Sequence, residues 1–113
     1  MSFKIIPTSR FEKEAKKISR IYPGFKKDIE KLTVSLAELP VQGSHIGHGL
    51  YKVRIPITGK SSGKSYGARV IHAVFSVDSQ VYLLTVYDKS VKKDLGSNEA
   101  RELVQLVKKI KSS

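Results

Sequence analysis

Lys52, Arg54, Arg69 and Lys89 are the side chains of this sequence whose types and spacing best suit chemistry, and Tyr87 stands among them. The stretch YKVRIPITGKSSGKSYGARV, residues 51–70, holds five cations and no carboxylate. Strand alternation puts Lys52 and Arg54 on one face and Tyr51, Val53 and Ile55 on the other. Arg69 begins the next strand and returns to the same neighbourhood, and Lys89 follows the last strand in phase with Tyr87. Guanidinium and ammonium groups gathered on a concave sheet face beside a phenol make a phosphate-binding surface. The competing reading of Lys52 and Arg54 is the ordinary hydrophilic alternation of a half-buried strand.

Charge points the same way. The chain has 113 residues and a formal net charge of +11, from 21 Lys and Arg against 10 Asp and Glu. The excess is densest between residues 50 and 93, where eight basic residues meet two acidic ones. So large a self-repelling excess is explained physically by a polyanionic partner: nucleic acid, an anionic membrane or an acidic protein. With 40% apolar and 27% charged residues the composition is globular, and the length is that of one domain, residues 1–113. No cysteine is present, which excludes a disulfide framework and a thiolate zinc site. Without an apolar leader or a membrane-length run, a soluble cytoplasmic protein is expected.

The elements that must position these residues are legible from periodicity. Phe3, Ile5 and Ile6 suggest a first strand ended by Pro7. Ser9-Arg10-Phe11-Glu12 fits a capping box with Ser9 as N-cap, and Phe11, Ala15, Ile18 and Tyr22 form the apolar stripe of the helix that follows. Pro23-Gly24 breaks it. A second helix carries Phe25, Ile29, Leu32, Leu36 and Leu39, and the short break predicts an antiparallel helical pair. VQGSHIGHG reads as a loop. Three strands follow: one from Leu50, one over ARVIHAVFSV with Arg69, Ile71, Ala73, Phe75 and Val77 on one face, and Val81–Tyr87, apolar on both faces. A last helix begins near Ser97 with Leu103, Leu106, Val107 and Ile110 as its apolar side. The predicted class is α+β: a small antiparallel sheet packed against an N-terminal helical pair, with a C-terminal helix.

GKSSGKS invites comparison with a nucleotide-binding P-loop and fails it. Gly59 and Gly63 are separated by three residues where the motif needs four, and the segment joins strand to strand. It reads as a hairpin loop from which Lys60 and Lys64 could touch phosphates without fixed geometry. His72 lies within a strand on the face opposite Arg69 and reads as structural. His45 and His48 read as loop residues, and two histidines without nearby carboxylates do not make a metal site.

Over essentially its whole length the sequence resembles the RelE/ParE superfamily of toxins from bacterial type II toxin–antitoxin modules. The resemblance is carried by F-E-K-E-A-K-K in the first helix, Y-K-V-R, G-A-R-V-I, and Y-L-L-T-V-Y-D-K-S followed by K-K-D-L. The Y-D-K-S ending is similar to a RelE/HigB-like branch. The resemblance implies a small sheet flanked by helices and a ribonuclease that cuts messenger RNA in the ribosomal A site. It further implies a cognate antitoxin, with ribosome and mRNA as the other partners and no membrane; it leaves the oligomeric state open. Lys52 and Arg54 match the paired cations of the second strand, Arg69 the arginine of the third and Lys89 the cation after the fourth. Lys60, Lys64, Lys92 and Lys93 are the further RNA-binding candidates.

The chemistry suits these residue types. RNA is cut without a metal or cofactor when its 2′-hydroxyl attacks the adjacent phosphate, leaving a cyclic phosphate and a free 5′-hydroxyl. Arg54 and Arg69 would clamp the phosphate, and Lys52 and Lys89 would stabilise charge or move protons. Tyr87 is either the base or an orienter, provided its cations favour the phenolate, or a core or rim aromatic. Where related toxins place a tyrosine or histidine after the last strand or near the C-terminus, this chain has Leu95 and an apolar helix, so the base is open. The alternatives are a ParE-type toxin that inhibits DNA gyrase, which generally lacks such a cluster, and an inactive RNA-binding relative.

Overall fold

The computed structural model describes residues 2–60 and 67–112. Strand β1 (Lys4–Pro7) leads into the helical pair α1 (Ser9–Ile21) and α2 (Phe25–Glu38), followed by β2 (Ser44–His45), β3 (Leu50–Ile55), β4 (Ala68–Phe75), β5 (Gln80–Asp88) and α3 (Ser97–Lys111). The strands form one sheet in the order β1-β5-β4-β3-β2. The expected meander β3-β4-β5 is antiparallel. At its two edges the sheet gains what periodicity did not show: β1 adds parallel to β5, making the sheet mixed, and two residues of the glycine-rich segment pair with β3 as β2.

Each face of the sheet has its own core. One face, with Val53, Ile55, Val70, Val81, Leu83 and Val86, packs against Phe11, Ala15, Phe25, Leu32 and Leu36 of the helical pair. The other packs Leu50, Ile71, Ala73 and Leu84 against Leu103 and Val107 of α3. The predicted stripes therefore bury as expected, save at two tips: Leu39 is 66% and Val77 98% exposed. Among the described residues no helix is long and apolar enough to cross a membrane.

The helix start differs from the expected Ser9 by one residue. Thr8 is the N-cap: its Oγ1 accepts from the Phe11 N–H at 3.2 Å and donates to the Leu83 carbonyl at 2.9 Å. One hydroxyl thus satisfies an orphan helix donor and pins α1 to β5, which Ser9, already inside the helix, cannot do.

Two further details position the site. Ile71 pairs with Thr85 but His72 pairs with Leu83, so Leu84 is an extra residue that bulges β5. The bulge reverses the phase of the strand beyond it and brings Tyr87 opposite Arg69. At Gly67 a Cβ would lie 2.4 Å from the Ile55 carbonyl oxygen, so only glycine lets β4 start this close to β3.

Candidate active site

Across β3, β4 and β5, Arg54 pairs with Arg69 and Arg69 with Tyr87, forming one row of side chains on the sheet face that also carries α3. Lys52 lies one row further in, beside Ile71 and Thr85. The expectation that these cations share the face opposite the helical pair is met for Lys52, Arg54 and Arg69. That face is not open, however: α3 covers its Leu50 end, and at the other end, where the row lies, Arg69 and Tyr87 are buried and only Arg54 is exposed.

Arg69 is buried, 6% exposed, and the only hydrogen bond its guanidinium makes among the described residues goes to the neighbouring Ala68 carbonyl, at 3.3 Å. Arg54 is exposed and has no hydrogen bond or ion pair among the described residues. Two like charges directly opposite each other in a ladder oppose folding, and a buried cation is costly without an anion. The sheet therefore holds two guanidinium groups without a carboxylate on either among the described residues, an arrangement that favours an external anion.

The loop of residues 89–96 folds back over this end of the sheet and supplies what the sequence reading missed. Asp94 Oδ1 accepts from the Leu95 N–H at 2.8 Å, from the Tyr87 hydroxyl at 3.4 Å and from Lys52 Nζ at 3.5 Å. The Leu95 N–H, with help from Lys52 and Tyr87, holds the Asp94 carboxyl below its usual range. Glu99 accepts from the Gly96 N–H at 3.1 Å, starting α3, and also pairs with Lys92 and Arg10. These ties fix the loop. Asp94 and Glu99 carried one signal in the sequence: both are acids in or just after the basic run that follows β5.

Tyr87 does not meet the condition for a base. Burial first, and then the Asp94 carboxylate, push its hydroxyl up to about 12, outweighing Arg69, which favours the phenolate. Tyr87 is a protonated donor at neutral pH and is buried, 6% exposed, which leaves the orienter and the core or rim aromatic of the roles expected.

The remaining lysines separate. Lys60, expected as a loop cation without fixed geometry, is instead paired with Asp88 at 2.7 Å, with side chains 16% and 11% exposed, and also donates to Ser90. It ties the residues after β3 to the end of β5. Lys64 lies outside the described residues. Lys89 donates to the Lys93 carbonyl, turning toward the loop, while Lys92 sits 5.8 Å from the Tyr87 ring centroid and pairs with Glu99. The Lys93 side chain is exposed.

The histidines stand away from this row. His45 packs on Tyr51 and Tyr51 stacks on His72, with ring centroids 5.1 and 5.5 Å apart. His72 is fully buried; its Nε2 lies 2.9 Å from the Pro40 carbonyl, an acceptor only, so Nε2 carries the proton and buried Nδ1 has no partner among the described residues. Burial lowers its pKa. His48 is exposed in a turn with φ of 55°.

No profile of a known protein family matches the sequence. The fold is nevertheless that of the RelE toxins. The chain is similar to a double arginine-to-alanine mutant of E. coli toxin RelE in the free state, with a TM-score of 0.60 and 20% identity over 82% of this chain and 90% of that one. In the intact E. coli RelBE toxin–antitoxin complex the matched chain gives a TM-score of 0.56 and 20% identity, over 77% of this chain and 96% of that one. The toxin–antitoxin complex RelBE2 from Mycobacterium tuberculosis gives 0.55 and 15% identity, over 78% and 92%.

Proposed function

We propose that this chain is the toxin of a type II toxin–antitoxin module and acts as a ribosome-dependent mRNA endoribonuclease. The observation that carries this reading is the row Arg54, Arg69, Tyr87, with two arginines paired across the ladder and no carboxylate on either among the described residues. Its RelE fold supports the reading, and two of the similar structures are complexes of toxin with antitoxin. A cognate antitoxin is accordingly the proposed protein partner, and its acidic residues would complement the net charge of +11.

In the proposed reaction the 2′-oxygen of the RNA attacks the adjacent phosphorus and the bond from phosphorus to the 5′-oxygen breaks. A 2′,3′-cyclic phosphate and a 5′-hydroxyl result. Arg54 and Arg69 hold the non-bridging oxygens, whose charge grows in the transition state. Lys52, one row away, adds positive charge and can move a proton. Tyr87, protonated at neutral pH, donates a hydrogen bond to a phosphoryl oxygen and thereby orients it. Lys89 and Lys93 line the loop beside the site and offer charge to the flanking RNA; Lys60 and Lys92 are held in ion pairs with Asp88 and Glu99.

The test is translation of a defined messenger in a reconstituted system, with 5′ ends mapped by primer extension. Ribosome-dependent cuts from the wild type, abolished by the double change Arg54→Ala/Arg69→Ala, are expected. Absence of cuts from the wild type sinks the reading.

A further inference from the structure

Two hydrogen-bond donors from different strands, Lys52 Nζ on β3 and the Tyr87 hydroxyl on β5, converge on a single oxygen, Asp94 Oδ1, at 3.5 and 3.4 Å. The sheet is otherwise cationic here, and Arg69 stands next to Tyr87 in its row. Both contacts lie at the long limit of hydrogen bonding and are individually weak. The third, from the Leu95 N–H at 2.8 Å, is short and belongs to the loop itself. The carboxylate is 65% exposed, so it can leave the two donors without unfolding anything.

We infer that Asp94 is an internal counter-ion of the phosphate site: its Oδ1 stands where a phosphoryl oxygen is received by Lys52 and Tyr87, and RNA binds by displacing it. This rests on reading the row as a phosphate site. An anionic oxygen on the protein and one on the ligand compete for the same donors, so Asp94 weakens RNA binding while keeping Lys52 and Tyr87 aimed. Its removal is therefore a gain in affinity that depends on Lys52, and not merely the addition of one net positive charge.

The probe is a short fluorescein-labelled 2′-O-methyl RNA of mixed sequence, which lacks the attacking hydroxyl, followed by anisotropy across a salt series. Asp94→Asn keeps an oxygen for the Leu95 N–H and is expected to bind roughly two- to fivefold more tightly, the range spanned by an exposed ion pair. The gain disappears when Lys52→Met is already present. Glu102→Gln, an equal change of charge on α3, gives less. Unchanged or weaker binding by Asp94→Asn, or the same gain in the Lys52→Met background, overturns the inference while the phosphate site stands, provided Arg54→Ala/Arg69→Ala weakens binding. If that double change leaves binding untouched, the site reading itself fails, and the inference with it.

Discussion

Arg54 and Arg69 stand directly opposite each other across β3 and β4, and the buried member of the pair hydrogen-bonds only to the Ala68 carbonyl among the described residues. A site kept for an anion carries such repulsion as a standing cost. Arg54→Ala is expected to leave stability to urea unchanged or to raise it by up to about 1 kcal/mol, while cleavage falls by roughly a hundredfold or more. Clear destabilisation with full activity would assign Arg54 to the scaffold.

Tyr87 gives a prediction at high pH. Its folded pKa is raised to about 12, above the ordinary tyrosine value of about 10. The stability it lends is thus fully present below the unfolded value and is lost as pH rises through the folded one. Ultraviolet titration should show one phenol ionising late, and Tyr87→Phe should remove that component. A late component that survives in Tyr87→Phe would refute the assignment.

His72 gives a prediction on the acid side. Burial lowers its folded pKa, so its contribution is present above the unfolded value of about 6.5 and is lost as pH falls through the folded one. Thermal melts are expected to weaken between pH 7 and pH 5. His72→Gln, whose amide can still donate to the Pro40 carbonyl, should flatten that part of the profile. Equal acid sensitivity in the variant would place the cause elsewhere.

Lys60 and Asp88 distinguish scaffold from RNA contact. Lys60→Met leaves a largely enclosed carboxylate without its cation and is expected to lower stability by about 1–3 kcal/mol. RNA affinity of the folded variant should fall less than twofold, because the ammonium is already neutralised. A large loss of affinity with no loss of stability would return Lys60 to the binding surface.

Much of the architecture follows from periodicity that any reader of the chain can see. The step of the apolar residues Phe25, Ile29, Leu32 and Leu36 is helical, and three of those four are buried in one core, with Ile29 packed against it. Alternation from Leu50 onward likewise separates Lys52 and Arg54 from Val53 and Ile55, because successive strand residues must face opposite ways. The parallel edge strand β1 was less visible, since a four-residue segment has no periodicity that names its partner across the chain.

What the sequence by itself determined, then, is which cations share a face: Lys52, Arg54 and Arg69 follow from the two-residue period of their strands. Tyr87 is different. Counting by twos along β5 from Tyr82 would put Val86, not Tyr87, beside Arg69; the bulge at Leu84 reverses the phase and only strand pairing creates it. Asp94 meets Lys52 from 42 positions away, where a loop pinned by Glu99 and Lys92 returns over the sheet. Local periodicity records the direction of a side chain relative to its own strand, whereas a bulge and a loop closure are settled by contacts between distant segments, and those decided what the cations face.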